Sequence, residues 1–207
     1  MRYLAFLVAL VLFAASAQAQ VGRNQGLLDP NLANRAELLG LPGMGEDLVD
    51  ALIAARPITS ASELDGVLSN GLDDEQRSAV YAGLFRQIDL NSASDDVIML
   101  IPGMSKRMAH EFEEYRPYTS LEQFRREIGK YVDEDEVARL EQYVFIPMNL
   151  NTSSEEAFMT IPGMSKRMTH EFEEYRPYTS MEQFRREIGK YVDEDEVARL
   201  ESYVTLE

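Results

Sequence analysis

An all-α fold made of three tandem units, each of about four short helices and repeating with a period of 60, is what this 207-residue sequence predicts. The phrase Leu41-Pro42-Gly43-Met44-Gly45 returns as Ile101-Pro102-Gly103-Met104-Ser105 and again as Ile161-Pro162-Gly163-Met164-Ser165, and a fixed period of this size is the mark of a repeat architecture. Residues 101–144 and 161–204 differ at three positions only, Ala109/Thr169, Leu121/Met181 and Gln142/Ser202, which points to a recent duplication. Between the turns, apolar residues fall at helical spacing behind Ser, Thr and Asp starts, and no alternation long enough for a strand is visible.

Taken in order, the chain begins with Met1-Arg2, an apolar run from Tyr3 to Ala15 and then Ser16-Ala17-Gln18-Ala19. A charged start, a short apolar stretch and a small-residue cleavage site predict a secretory signal peptide over residues 1–19. The run is shorter than the roughly 20 apolar residues of a membrane span, so no span is expected once the signal is removed. Residues 20–28 read as a linker. The units follow at 29–88, 89–148 and 149–207, the first divergent and the third a near-duplicate of the second.

Within the middle unit, Ser92-x-x-Asp95 predicts the start of a first helix over about Ala93 to Leu100, with Val97 and Leu100 inward. The third unit repeats that signal as Thr152-x-x-Glu155, whereas Leu32 at the matching place leaves the first unit without it. After the Pro-Gly turn, Met108, Phe112 and Tyr115 define the apolar stripe of a second helix that Pro117 ends, with Arg116 in its last turn. Ser120-x-x-Gln123 opens a third helix with Leu121, Phe124 and Ile128 inward, matched by Ser60-x-x-Glu63 and Ser180-x-x-Gln183. Asp133-x-x-Glu136 opens the fourth, with Val137, Leu140, Tyr143 and Val144 inward.

Composition narrows the function classes. Cysteine is absent, so an exported chain here is held by packing alone, without disulfides. The formal net charge is −16, and every unit is acidic, each at −6, so the long-range field repels a polyanion. With 16 Arg to 4 Lys, the acidic, lysine-poor surface is the kind suited to high salt.

Few residues invite chemistry. The Asp133-Glu134-Asp135-Glu136 run and its copy at 193–196 lack the alternating ligands and central glycine of a calcium loop, and acids at a helix start are explained by its dipole. His110 and His170 stand without a second histidine or a nucleophile, so they read as solvated helix residues. Arg56, Arg116 and Arg176 could touch phosphate, although a structural role at free carbonyls accounts for them as well. No catalytic residue, metal site or cofactor is predicted, and the chain is expected not to be an enzyme. The Pro-Gly turns are the exception, because such turns can aim backbone N–H groups at an anion.

Asn91-Ser92-Ala93-Ser94, the turn Ile101-Pro102-Gly103-Met104, then Tyr115-Arg116 and Ser120-Leu121-Glu122-Gln123-Phe124 resemble the helix-hairpin-helix module of the ComEA-like competence DNA receptors, three times over across 29–207. That resemblance implies sequence-independent grip of the DNA backbone by hairpin amides and a following basic residue, in DNA uptake outside the cytoplasm. Carried onto this chain, the DNA-binding set is Gly103, Met104, Ser105, Lys106 and Arg107, and Gly163, Met164, Ser165, Lys166 and Arg167. Gly43, Met44 and Gly45 form a weaker set, since Glu46 and Asp47 follow them. In copies two and three Ser replaces the second glycine, and as a helix cap it would occupy amides otherwise open to phosphate.

A related module serves as an extrinsic photosystem subunit, so the alternative is a protein-interaction scaffold of an envelope or extrinsic complex that meets a basic protein partner. The expected partners are therefore weakly bound, non-specific DNA or a basic protein, at a periplasmic or extracellular location. The mature chain should begin near Gln20; an intact mass of the secreted protein that retains Arg2 would overturn cleavage in favour of an N-terminal anchor.

Overall fold

The structure, a computed structural model, describes residues 20–22 and 26–207, so the predicted signal peptide lies outside the described residues. The described chain is mostly helical. Helices α1 (Arg35–Leu39), α2 (Glu46–Ala54), α3 (Ala61–Leu68) and α4 (Asp74–Tyr81) are followed, sixty residues on, by α5 (Asp95–Ile98), α6 (Lys106–Glu114), α7 (Leu121–Ile128) and α8 (Glu134–Glu141). A further sixty residues on come α9 (Glu155–Phe158), α10 (Lys166–Glu174), α11 (Met181–Ile188) and α12 (Glu194–Glu201).

Four two-residue strands interrupt the helices, against the expectation of none: β1 (Ile88–Asp89), β2 (Val144–Phe145), β3 (Met148–Asn149) and β4 (Val204–Thr205). They pair in parallel, Ile88 beside Val144 and Met148 beside Val204, and a single parallel bridge joins Leu28 to Leu84 in the first stretch. Each set of four helices is thus closed where its chain enters and leaves. Two residues are too few to show a period of two, which is why no pattern announced them.

Local signals account for most helix starts. Ser60, Ser120 and Ser180 cap α3, α7 and α11, and Asp73, Asp133 and Asp193 cap α4, α8 and α12, each accepting from the backbone N–H three residues on. The first helix of each set departs from the expected boundary. It starts after Asn34, Ser94 or Ser154, two residues later than Ser92 and Thr152 suggested. The Ser92 hydroxyl instead donates to Asp89 at 2.5 Å, so its capping pattern was spent on a turn. Nor is the first set uncapped, because Asn34 and Glu37 form a reciprocal capping box.

One clamp recurs in all three sets. The Asn91 side chain accepts from the Tyr118 N–H at 2.7 Å and donates to the Tyr118 carbonyl at 2.9 Å. Arg116 lies past the end of α6, not in its last turn, and its guanidinium donates to the Leu90 and Ala93 carbonyls, both at 2.6 Å. Asn31 with Arg56 and Asn151 with Arg176 repeat the arrangement. The amide and guanidinium together pin the incoming turn of a set to the turn between its two helical halves. Arg56, Arg116 and Arg176 are therefore structural in this fold.

Apolar packing fills each set around perpendicular rings, Phe112 against Phe124 at 5.2 Å and Phe172 against Phe184 at 5.1 Å. On α6 the buried residues are Ala109 and Phe112; Met108 and Tyr115 are only half-buried. One continuous core runs through the first two sets, and a second occupies the third together with Val21 and Phe145. Polar contacts join the two. Arg86 is fully buried, its guanidinium carbon 4.0 Å from the centre of the Tyr203 ring, and it donates to the Ser202 hydroxyl at 2.6 Å. The Tyr203 hydroxyl reaches Asp29 at 3.3 Å, while the Gln87 amide, donating to the Gln142 carbonyl at 2.9 Å, ties the first set to the second.

Replacing Arg116 with Ala strands two carbonyls that only a forked donor serves at once. Arg116→Ala should lower unfolding free energy by about 2–3 kcal/mol, and Arg116→Lys should recover only part of it, as read from urea midpoints.

Candidate functional site

The sequence pattern directs attention to the turns ahead of α2, α6 and α10. Gly43, Gly103 and Gly163 sit at φ of +76°, +74° and +74°, the left-handed region that favours glycine, and this lets each chain reverse before its second helix. The following methionines serve the core more than the surface. Met44 and Met104 are buried and Met164 half-buried, and the Met104 and Met164 amides are already committed to the Ile101 and Ile161 carbonyls at 3.0 Å.

Beyond the turn, the Ser105 hydroxyl accepts from the Met108 N–H at 3.2 Å, and Ser165 does the same for Met168. These caps occupy one amide of each helix start; Gly45 offers no such cap to α2. The turns are braced from behind by arginines the sequence pattern did not single out, with glutamates it had read only as helix-start acids. Arg139 donates to the Pro102 carbonyl at 2.7 Å while Glu136 holds its other face, and Arg199 with Glu196 does the same at Pro162. Glu136 is kept below the ordinary carboxylate value chiefly by its hydrogen bonds from Arg139. In the first set the matching position is Ala79, the signal that could have marked the brace.

Lys106, Arg107, Lys166 and Arg167 all project from these turns as exposed side chains. The other fourteen Lys and Arg residues among those described donate to a carboxylate, a carbonyl or a hydroxyl. These four make neither an ion pair nor a hydrogen bond among the described residues. Arg107 and Arg167 instead lie 5.9 Å from the ring centres of Tyr131 and Tyr191. Each of those tyrosines shares a 2.8 Å hydroxyl contact with a second ring, Tyr115 or Tyr175, and Lys130 and Lys190 lie over that second ring at 4.7 and 4.8 Å. The Tyr131 hydroxyl is held protonated well above its ordinary value, first by its bond with Tyr115 and then by Glu111.

Surroundings differ between the two basic turns. A Cβ placed on Gly163 would come within 2.9 Å of the Leu32 side chain, so the first set covers this turn. At Gly103 the nearest group is the Arg139 guanidinium, at 3.7 Å, and the turn opens on a cleft of about 250 Å³ lined by Asp65, Asp74, Arg77 and Met99. In the first set Glu46 is engaged with Arg35 at 3.0 Å, which also pairs with Asp50.

The remaining candidates do not converge. His110 and His170 are exposed, the latter 3.6 Å from Glu174. Among the described residues no three His, Asp or Glu side chains are placed to hold a metal ion, and no helix is long and apolar enough to cross a membrane.

Because Gly103 and Gly163 share the same φ, Ala at either site carries the same backbone strain, and only Gly163→Ala also meets Leu32. The Leu32 methyl ends a flexible, 46%-exposed side chain that can swing aside, so Gly163→Ala should cost only about 0.5 kcal/mol more stability than Gly103→Ala, and Leu32→Ala should remove that difference in a double-mutant cycle read by chemical denaturation. No family model matches the chain, and no curated protein or solved structure matches it either.

Proposed function

We propose that this chain is an exported, non-catalytic helix-hairpin-helix protein that binds nucleic acid weakly through its phosphates, without regard to sequence. The observation that carries the reading is the set of four exposed cations without a carboxylate or hydrogen-bond partner, Lys106, Arg107, Lys166 and Arg167, in a protein whose other described basic side chains are all hydrogen-bonded internally; Arg107 and Arg167 touch only a tyrosine ring. An exposed Lys-Arg pair in the first turn of a nine-residue helix sits where the helix dipole already favours an anion. A pair of exposed cations there weakens its own helix, a cost that a bound anion would offset. The acidity of the whole chain, at −16, keeps the affinity low in physiological salt.

A second reading, a scaffold that meets a basic protein, draws support from Leu32 lying across Gly163 and from the acidic units. It leaves the four free cations without a role.

With about four phosphates neutralised, log K should fall against log salt with a slope near −3.6. The combined Lys106→Glu, Arg107→Glu, Lys166→Glu and Arg167→Glu variant should lose binding to every nucleic-acid sequence tested in a low-salt titration. Absence of binding by the unaltered protein, or binding indifferent to these four changes, would favour the scaffold.

A further inference from the structure

Beside each basic turn stands a pair of tyrosines that the phosphate reading does not use. Tyr115 and Tyr131 have ring centres 6.4 Å apart and tilted by 50°, and Tyr175 and Tyr191 reproduce this at 6.4 Å and 51°. Tyr131 is 36% exposed, and its counterpart Tyr191 is half-buried, so each ring presents part of its surface to solvent. The two cations nearest the rings, Arg107 and Lys130, flank the pair, and one of them belongs to the free set described above.

The divergent first copy isolates what the cluster is for. It keeps the residues that build the fold, Asn31, Gly43, Arg56, Pro57 and Ser60, and at the cluster positions it carries Asp47, Ala55, Asn70 and Gly71 in place of Arg107, Tyr115, Lys130 and Tyr131. Both rings and both cations are missing together, along with Lys106, whose place is taken by Glu46. A set of four helices therefore closes without the tyrosines, and they accompany the basic turn. Rings and cations on one surface are the combination that binds an unpaired strand, where bases stack on aromatic faces while cations follow the phosphates. In a duplex the bases are stacked on one another and cannot reach a ring.

Resting on the phosphate-binding reading, we infer that the ligand class is single-stranded nucleic acid, with Tyr131 and Tyr191 each offering a ring to a base while Lys106-Arg107 and Lys166-Arg167 hold the adjoining phosphates. Neither ring reads an edge, so base identity matters little. Two such platforms on one chain add avidity on a strand long enough to reach both.

The full mature chain is titrated at low salt with three fluorescent probes of equal length: a mixed-sequence single strand, the same phosphodiester backbone without bases, and the duplex. The single strand should bind about tenfold or more tighter than the base-free strand and also tighter than the duplex. Tyr131→Leu with Tyr191→Leu should bring the single strand down to the base-free level, whereas Tyr131→Phe with Tyr191→Phe, which keeps the rings and removes the hydroxyl contacts, should retain the preference. Equal binding of single strand and base-free strand, or preference for the duplex, overturns this inference and leaves phosphate binding standing. Failure of all three probes to bind overturns both, and directs attention to a protein partner.

Discussion

Everything in this fold hangs from one polar clamp, an asparagine and an arginine that between them serve four backbone groups. Each set of helices is small, and its first helix is only four or five residues long, too short to hold itself together. The Asn side chain imitates a strand neighbour by giving and taking one hydrogen bond at residue 58, 118 or 178, while the Arg fork closes on carbonyls of the incoming turn. Burial pushes the Arg56 guanidinium below its ordinary value, a sign of how far it has left water, and its carbonyl partners compensate for the lost hydration. With the clamp shut, the short first helix is fixed, and the Pro-Gly turn that follows acquires a defined direction.

That direction makes the two basic turns equivalent locally and unlike in their surroundings. The copies differ at three positions in 44, and one of those positions meets different neighbours. The Gln142 carbonyl accepts from Gln87, whereas the Ser202 hydroxyl accepts from the buried Arg86. Thr169, fully buried where the other copy has Ala109, turns its hydroxyl onto the Lys166 carbonyl at 2.9 Å. Ser202 therefore uses its side chain in a contact beyond its own set, and the Lys and Arg residues of the turns and the paired tyrosines are unchanged.

Much of this was legible beforehand, for identifiable reasons. Helices α3, α4, α7, α8, α11 and α12 begin where a Ser or Asp stands three residues before the amide it caps, a signal contained within four residues. Ser105 and Ser165 cap as their position suggested. What could not be read was non-local. The parallel pairs span 56 residues with two residues on each side, and the clamp links Asn91 to Arg116 and Tyr118 across separations that no periodicity encodes. The covering of Gly163 by Leu32 joins the first stretch to the third, so the pattern around either residue alone cannot disclose it. The tyrosine pairs likewise join residues sixteen apart on different elements.

Parallel closure of each set, Leu28 beside Leu84, Ile88 beside Val144 and Met148 beside Val204, leaves the chain departing next to where it arrived, with three residues between one closure and the next. Copying sixty residues in frame therefore lengthens such a chain without asking any existing strand to change partner. Growth by whole modules is the cheap evolutionary route for this topology. A lineage could vary the number of such sets, or change the charges on one turn, as Glu46 and Asp47 differ from Lys106 and Arg107, while the rest of the molecule keeps its shape.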